Sequence, residues 1–206
     1  MRQTEPVQPV AVSAGTGDVE ALSDVLQAAF WDDPVMSWLL PDEPSRSRRL
    51  AGLFAILLEG HYLPMWTVWT TATQAGAALW APPGHWKISP ADTVRQLPAL
   101  VRSLGRHSAR ALRTLDHVDR QHPAAPHWYL GVLGTGPAHQ GHGIGSALMR
   151  PVLERCDREG VPAYLESSKE SNIAFYARHG FEVTGEIHMP SGGPTVWPMW
   201  RDPQPA

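Results

Sequence analysis

The chain has 206 residues, of which 43% are hydrophobic and 18% are charged, and its formal net charge is −3. These are the values of a globular protein, and the weak negative charge gives no general attraction to nucleic acid or anionic membranes. No apolar run reaches the ~18 residues of a membrane span, and no residue spacing is typical of a metal site. The N-terminus lacks an apolar signal segment, and the single cysteine cannot form an internal disulfide. We therefore predict a cytoplasmic protein that binds no nucleic acid, membrane or metal.

Apolar periodicity and the positions of glycine and proline divide the first half into elements. They predict a strand at 7–14, helices at 18–30 and 45–62, and a hairpin of strands at 65–72 and 77–81. The segment 89–126 is less regular. Ser89 and Pro90 are typical of a helix start, and Pro98 is predicted to interrupt or restart that helix.

The second half predicts a strand at 127–133, a helix at 141–160, a short strand at 163–167 and a short helix at 171–179. Two closing strands follow at 182–189 and 195–201. Gly180 is suited to end the short helix, because glycine readily adopts the left-handed conformation found there. The pattern predicts one mixed α/β domain over residues 1–206.

The stretch from Val132 to Ser146 carries the strongest functional signal. A predicted strand leads into a loop with glycines at 141, 143 and 145, and a helix follows. Glycine lets the backbone approach a ligand closely, and a helix N-terminus presents free N–H groups and a positive dipole end. This arrangement predicts a site for a phosphate or pyrophosphate, and therefore a nucleotide-bearing cofactor.

Two other interpretations of the glycines are less favoured. A dinucleotide-binding fingerprint needs G-x-G-x-x-G directly after the first strand, with an acidic residue about 20 positions later. Glu166 lies near that distance, but the spacing here is G-x-G-x-G, the loop is long and no second mononucleotide half follows. An ordinary turn between strand and helix is the remaining alternative.

Gln140-x-x-Gly143-x-Gly145 resembles the acyl-CoA pyrophosphate loop of the GNAT superfamily of N-acetyltransferases. The resemblance extends to Glu166-Ser167-Ser168 and to the segment 172–181, NIAFYARHGF, and within the superfamily it is nearest to puromycin N-acetyltransferase. It implies a GNAT fold, with a mixed, mostly antiparallel central sheet flanked by helices. It also implies transfer of an acetyl group from acetyl-CoA to the amine of a small molecule. The acceptor would be shaped by about 1–126 and the cofactor bound by about 127–206.

The resemblance assigns cofactor binding to one strand, the loop and two helix starts. These residues are Val132, Leu133, Gln140, Gly141, His142, Gly143, Ile144, Gly145, Ser146, Asn172 and Tyr176. His142 stands where such loops commonly carry Lys or Arg. Histidine is mostly neutral at neutral pH, so the backbone amides must carry more of the binding. Asn172 has two interpretations, a bond to the pantetheine arm or a helix cap.

Acetyl transfer to an amine needs a proton acceptor, a donor to the oxyanion and a proton for the departing thiolate. Tyr176 is the candidate proton donor, with a core aromatic as the alternative. A backbone N–H near Val132 or Leu133 is the family's oxyanion donor. Glu166 is the candidate base; it could instead bind the substrate ammonium, act through water, or be a satisfied buried carboxylate. His139 and His188 are weaker candidates.

The chain has nine tryptophans, and many of them lie in the half assigned to the acceptor. Large aromatic walls are typical of sites for apolar or aromatic amines, although single tryptophans more often pack in the core. We assign substrate binding to Trp31, Asp32, Trp80 and Glu166. The carboxylates of the Asp32-Asp33 pair beside Trp31 could attract a cationic amine, and helix-terminal solubility is the alternative interpretation of this pair. A catalytically silent acyl-CoA sensor or interaction module on the same fold is the alternative function. Neither the oligomeric state nor the acceptor follows from these patterns.

Overall fold

The structure is a computed structural model that describes residues 9–204, so residues 7 and 8 of the predicted first strand lie outside it. The strands are β1 (Ala11–Ser13), β2 (Val68–Thr71), β3 (Gly76–Ala81), β4 (Trp128–Thr135), β5 (Ala163–Ser167), β6 (Glu182–Val183), β7 (Ile187–His188) and β8 (Thr195–Arg201). The helices are α1 (Val19–Ala29), α2 (Pro34–Leu39), α3 (Glu43–Leu57), α4 (Pro90–Leu104), α5 (Ser108–Asp119), α6 (Ile144–Glu159) and α7 (Ile173–Ala177).

Pro98 does not interrupt helix α4, so this part of the sequence prediction is wrong. The helix begins at the predicted cap, where the Ser89 hydroxyl accepts a hydrogen bond from the Asp92 N–H at 3.1 Å, and it continues to Leu104. A proline inside a helix leaves the carbonyl four residues earlier without its usual donor. Here Pro98 and Val94 both lie on the exposed face, where water can satisfy that carbonyl.

The strands form a sheet in the order β1-β2-β3-β4-β5-β8-β6, with β7 paired to β8. Every neighbouring pair is antiparallel except β4 and β5, which are parallel. Parallel neighbours need a long crossover, which helix α6 supplies. The predicted mixed, mostly antiparallel sheet is confirmed.

Side chains alternate between the two faces of the sheet along each strand, and helices cover both faces. Along β3, Leu79 points into the cluster formed with α1 and α3, around Leu26, Leu50 and Phe54. Its neighbour Trp80 points into the opposite cluster, which is formed with α6. The sheet is therefore a central layer between two groups of helices.

Strands β4 and β5 separate after only three paired positions. Their last pair is Leu130 with Leu165. On the other side of β4, the register with β3 shifts by one residue at the same point. Leu79 pairs with Val132, and the next residue, Trp80, pairs with Leu130. Gly131 is the extra residue of this bulge, and bulges bend the strand that carries them. A Cβ at Gly131 would lie 2.0 Å from the Tyr62 hydroxyl, so only glycine fits there.

In the range 9–204, no helix combines the length and the apolar character needed to cross a membrane.

Arg201 at the end of β8 joins the sheet to α6. Its guanidinium, of which 5% is exposed, donates two hydrogen bonds to the Asp157 carboxylate at 2.7 and 2.9 Å. These bonds hold the pKa of Asp157 below its ordinary value. A carboxyl group with a lowered pKa in the folded state stabilises it above the unfolded pKa of about 3.9, and that contribution is lost at lower pH.

We predict that Asp157→Asn lowers the free energy of unfolding at pH 7 by about 2 kcal/mol, because charged hydrogen bonds to a buried guanidinium are lost. Urea denaturation from pH 7 to pH 3 measures this, and the difference from wild type should shrink below about pH 4. Asp116→Asn is the control. Its ion pair with Arg120 is exposed, so a change below about 1 kcal/mol is expected. Equal effects of the two variants would contradict the prediction.

Candidate active site

A cleft of about 720 Å³ opens where β4 and β5 separate. It is lined by the free part of β4, the glycine loop, the first turn of α6, the end of β5 and helix α7. The predicted site residues that line it are Val132, Leu133, Gln140, Gly141, Gly143, Ile144, Gly145, Ser146, Glu166, Asn172 and Tyr176. The structure thus brings together residues that lie up to 44 positions apart in the chain.

His142 is the predicted cofactor residue that does not line the cleft. Its side chain is exposed, and Nδ1 lies 3.3 Å from the carbonyl oxygen of His139. The cationic side chains that do line the cleft are Lys169 and Arg178, with His139 beside them. Lys169 follows strand β5, and Arg178 directly follows helix α7. Both residues are therefore distant in sequence from the glycine loop.

The glycine loop is shaped by two left-handed residues. Gly141 and Gly143 each have φ of +77°, a conformation that other residues adopt only with strain. No heavy atom lies within 4 Å of the place where a Cβ at Gly141 would be. Helix α6 begins directly after Gly143, and its first internal bond runs from the Ala147 N–H to the Gly143 carbonyl at 3.0 Å. The N–H groups of 144–146 precede that bond and have no acceptor within the helix.

These features fit the diphosphate of a coenzyme A molecule. The open space beside Gly141 lets an anion reach the backbone, and the N-terminus of the 16-residue helix α6 supplies N–H donors and a positive dipole end. Lys169 and Arg178 add positive charge on the opposite wall. A diphosphate bound at this loop would therefore be attracted mainly by backbone groups, since the loop has no Lys or Arg of its own.

Tyr176 lies on α7 with 8% of its surface exposed, between the rings of Phe175 and Phe181. It belongs to the core cluster and also lines the cleft, so both interpretations of this residue apply. Burial raises the pKa of the Tyr176 phenol well above its ordinary value, and the negative charge of Asp33 acts in the same direction. The hydroxyl stays protonated and can donate.

Asn172 precedes α7 and lines the cleft. Its side chain makes no capping hydrogen bond to the helix, so the interpretation as a cap is not supported. The amide is exposed and free to contact a ligand in the cleft.

Glu166 lies near the end of β5 with 9% of its side chain exposed. Within the described part of the chain, Oε1 has no hydrogen-bond partner. Three tyrosines surround the carboxylate, and its charge adds to burial in raising the pKa of Tyr62, Tyr129 and Tyr164. A buried carboxylate with a free oxygen is suited to accept a proton or to hold a cation.

His122 faces the same carboxylate and was missed by the sequence analysis. Its Nδ1 lies 3.4 Å from Glu166 Oε1, and its ring stacks on Trp86 with 3.7 Å between centroids. Nε2 contacts Nε2 of His127 at 2.9 Å. His122 follows α5 in the irregular segment 89–126, where no local pattern indicated that the chain returns to the sheet. Of the two weaker candidate bases, His139 lines the cleft, whereas His188 is exposed and does not.

Asp33 is a second buried carboxylate in the cleft. Its Oδ1 caps helix α2 by accepting hydrogen bonds from the N–H groups of Val35 and Met36 at 3.0 and 3.1 Å. The Ser168 hydroxyl donates to Oδ2. Burial raises the pKa of Asp33 and outweighs these hydrogen bonds, which act in the opposite direction. Of the Asp32-Asp33 pair that the sequence analysis singled out, Asp33 is thus the member that lines the cleft, and the sequence Asp-Pro is typical of its position as a cap before the first helical residue.

Three of the predicted substrate residues lie outside the cleft. Asp32 is exposed and pairs with Lys169 Nζ at 2.8 Å. The ring of Trp31 is partly exposed and lies 5.0 Å from the Arg46 guanidinium carbon. Trp80 is fully buried against α6, because alternation along β3 turns it to that face of the sheet. The structure therefore does not bring these three side chains to a ligand in the cleft.

A second cavity, of about 330 Å³, meets the cleft and extends between helices α2, α3, α4 and α5. The residues that line both are Phe30, Asp33, Gly131, Glu166 and Ser168. The two buried carboxylates thus stand at the junction of the two spaces. Among residues 9–204, no group of three or more His, Cys, Asp or Glu side chains is arranged to hold a metal ion.

Comparison with known proteins gives a consistent result. Residues 99–181 match the Acetyltransferase (GNAT) family. The Schizosaccharomyces pombe protein "Uncharacterized N-acetyltransferase C550.08" is 26% identical over 191 residues, which is 84% of this chain and 74% of that protein.

Two solved structures have the same fold. A structure from Corynebacterium glutamicum, described as "histone acetyltransferase HPA2 and related acetyltransferase", superposes with a TM-score of 0.74 at 27% identity, over 97% of this chain and 99% of that one. The Drosophila melanogaster polyamine N acetyltransferase superposes with a TM-score of 0.61 at 14% identity, over 94% and 99%. The predicted GNAT fold is confirmed.

We predict that Asp33→Asn becomes more stable relative to wild type as pH rises from 4 to 7. Asn keeps the helix cap and removes a carboxyl group whose pKa is raised in the folded state. Wild type therefore loses stability as pH rises from the unfolded pKa of about 3.9 to the folded pKa, and above the folded pKa the difference stays constant. Urea denaturation at several pH values measures the difference. Asp32→Asn is the control with the opposite sign, because the bond from Lys169 lowers the pKa of Asp32. A parallel trend in both variants would refute the assignment.

Proposed function

We propose that the chain, which is an N-acetyltransferase of GNAT type, transfers an acetyl group directly from acetyl-CoA to the amine of a small molecule. One observation carries this proposal. A single cleft joins a backbone cradle for a diphosphate, a protonated phenol at Tyr176 and a buried carboxylate at Glu166. A proton donor, a proton acceptor and a site for the anionic cofactor within one cleft meet the demands of acyl transfer to an amine.

The cofactor would be held by the loop and the first turn of α6. The N–H groups of 141–146 donate to the diphosphate, and the Gln140 side chain, which donates to the Thr135 carbonyl at 3.2 Å, keeps the loop closed. Asn172 contacts the pantetheine arm from the other wall. Bound acetyl-CoA supplies the acetyl group as a thioester, which is activated toward attack by an amine.

The acceptor must lose a proton before it can attack, because an ammonium has no lone pair. Glu166 accepts this proton at Oε1, directly or through a water molecule. His122, 3.4 Å away, stabilises the carboxylate position and is itself held by the stacked ring of Trp86.

Two groups then stabilise the charge that develops on the acetyl donor. The main chain of β4 beyond Leu130 has no partner on β5, so an N–H near Val132 or Leu133 is available for the carbonyl oxygen. As the amine nitrogen bonds to the carbonyl carbon and the C–S bond breaks, the Tyr176 hydroxyl hydrogen-bonds to the sulfur and passes it a proton, so that coenzyme A leaves as the thiol. The proton lost by the new amide nitrogen replaces the one that Tyr176 gave up. The raised pKa of Tyr176 keeps the phenol protonated before this step.

The class of acceptor is supported by the relatives. The structural neighbour from Drosophila acts on polyamines and forms N acetylagmatine. The sequence resemblance to puromycin N-acetyltransferase adds puromycin to the amines that should be screened. A small-molecule amine also suits the size of the space behind the cleft, at about 330 Å³.

We predict that Tyr176→Phe lowers kcat by about 100-fold, the lower range for loss of a general acid, while the dissociation constant of acetyl-CoA stays nearly unchanged. Thiol release measures kcat, and calorimetry measures binding. The variant loses one hydroxyl and keeps the packed ring, so its unfolding midpoint serves as the control. A kcat equal to that of wild type would remove Tyr176 from the reaction.

We predict that Glu166→Gln lowers kcat/KM for the amine by about 100-fold at pH 7, with a smaller loss at pH 9, where more of the amine is already unprotonated. Glu170→Gln is the matched control, because Glu170 is exposed and does not line either cavity. Near wild-type kcat from pH 6 to 9 would clear Glu166 of the role. Binding of acetyl-CoA without thiol release for any amine would favour the silent sensor instead.

A further inference from the structure

We infer that the acceptor is a monoamine with an aliphatic chain, and that this chain occupies the second cavity while its amine lies between Asp33 and Glu166. The inference rests on the proposed acetyl transfer and specifies its substrate class. Three features of the second cavity carry it: the chemistry of its walls, the sign of its charge and its connection to the cleft.

The walls of the second cavity are mainly aliphatic. They are formed by side chains from α2, α3, α4 and α5, among them Met36, Leu53, Leu57, Leu100, Leu112 and Leu115. None of the nine tryptophans lines the cavity, which corrects the expectation of large aromatic walls. The aromatic rings of Phe30 and Tyr129 also contribute to the lining. Aliphatic walls favour an alkyl chain through the area removed from water, without the ring geometry that selects aromatic ligands.

The charged groups of this cavity are both acidic. In the described part of the chain, its lining includes Asp33 and Glu166 and no Lys, Arg or His. Both carboxylates lie at the end that opens into the cleft. Glu166 Oε1 is buried and accepts no hydrogen bond within residues 9–204. The group beside it that could carry a positive charge is His122, whose Nδ1 lies 3.4 Å away and which does not line the cavity. A cationic head at the junction and an uncharged tail behind it match this distribution, because an ammonium can pair there and an anion cannot.

A second charge on the acceptor would be placed among uncharged side chains, most of which are aliphatic, with Thr93, Gln96 and Thr114 as the polar ones from α4 and α5. Burial of an unpaired ammonium is costly, so the cavity disfavours diamines and polyamines of similar length. The chain therefore differs in acceptor from the Drosophila neighbour, which acts on polyamines. The direction is also set, since the amine end must face the cleft that holds Tyr176 and the glycine loop.

Leu115 marks the open end of the cavity. It lines the cavity from helix α5, and 46% of its surface is exposed. Val101 on the neighbouring helix α4 is exposed to nearly the same degree, at 48%, and does not line the cavity. These two residues form a matched pair, because a charge at either one replaces an exposed apolar side chain.

The first experiment measures thiol release from acetyl-CoA with n-alkylamines from propylamine to octylamine, and with agmatine. We expect kcat/KM to rise by about fourfold per methylene until the cavity is filled, as for transfer of methylenes out of water. Agmatine should be a poorer substrate than hexylamine by at least about tenfold, because its guanidinium would be buried unpaired. A flat series with turnover, or agmatine as the better substrate, would overturn the inference and leave acetyl transfer standing.

The second experiment compares Leu115→Glu with Val101→Glu. We expect Leu115→Glu to lower kcat/KM for octylamine by about tenfold or more, to change that for propylamine by less than about threefold, and to leave acetyl-CoA binding intact. Val101→Glu should stay within about twofold of wild type for both amines, as is usual for surface substitutions. Equal effects of the two variants on octylamine would overturn the assignment of the cavity.

Octyltrimethylammonium separates the two levels of the proposal, because it has a cationic head and an alkyl chain but cannot be acetylated. Calorimetry should detect its binding to wild type and weaker binding to Leu115→Glu. Turnover of other amines with no binding of this probe would overturn the inference alone. Absence of amine-dependent thiol release with every amine tested, while acetyl-CoA binds, would overturn the proposed function and the inference together.

Discussion

The end of pairing between β4 and β5 is the feature on which the rest of the molecule depends. The two strands are hydrogen-bonded up to Leu130 and Leu165, and beyond this point each follows its own direction. The bulge at Gly131 bends β4 at that position, and the Tyr62 hydroxyl occupies the place that a side chain there would need. Because of this separation, the sheet has an internal opening with backbone on one wall and Glu166 on the other.

The opening also determines where charge collects. The cleft side has N–H groups and cations, from the glycine loop, Lys169 and Arg178, whereas the side toward the second cavity has the carboxylates of Asp33 and Glu166. The polyanionic cofactor and the cationic acceptor that we propose would be attracted to opposite ends of this space. Such attraction would orient both ligands before any chemical step.

The parts of the site that could be predicted are those encoded by short stretches of chain. The glycine loop was recognisable because a left-handed backbone at Gly141 and Gly143 and the following helix start lie within a few residues of each other. Tyr176 could be placed through the resemblance of one segment. Local rules misled at two places. Pro98 does not end its helix, because solvent exposure made an interior proline tolerable. The predicted strand 182–189 is two short strands, β6 and β7, with residues 184–186 between them. The roles assigned to the site residues stay predictions.

The sequence by itself determined the fold class and the class of enzyme, through hydrophobic periodicity and the resemblance of contiguous motifs, which are properties of neighbouring residues. Only the tertiary structure decided which side chains line the cleft and the second cavity. It placed Trp80 in the core on the α6 side of β3, left Asp32 in solvent and brought His122 beside Glu166. The physical reason is that the second cavity lies among four helices distant in sequence, and no local pattern records which faces pack together.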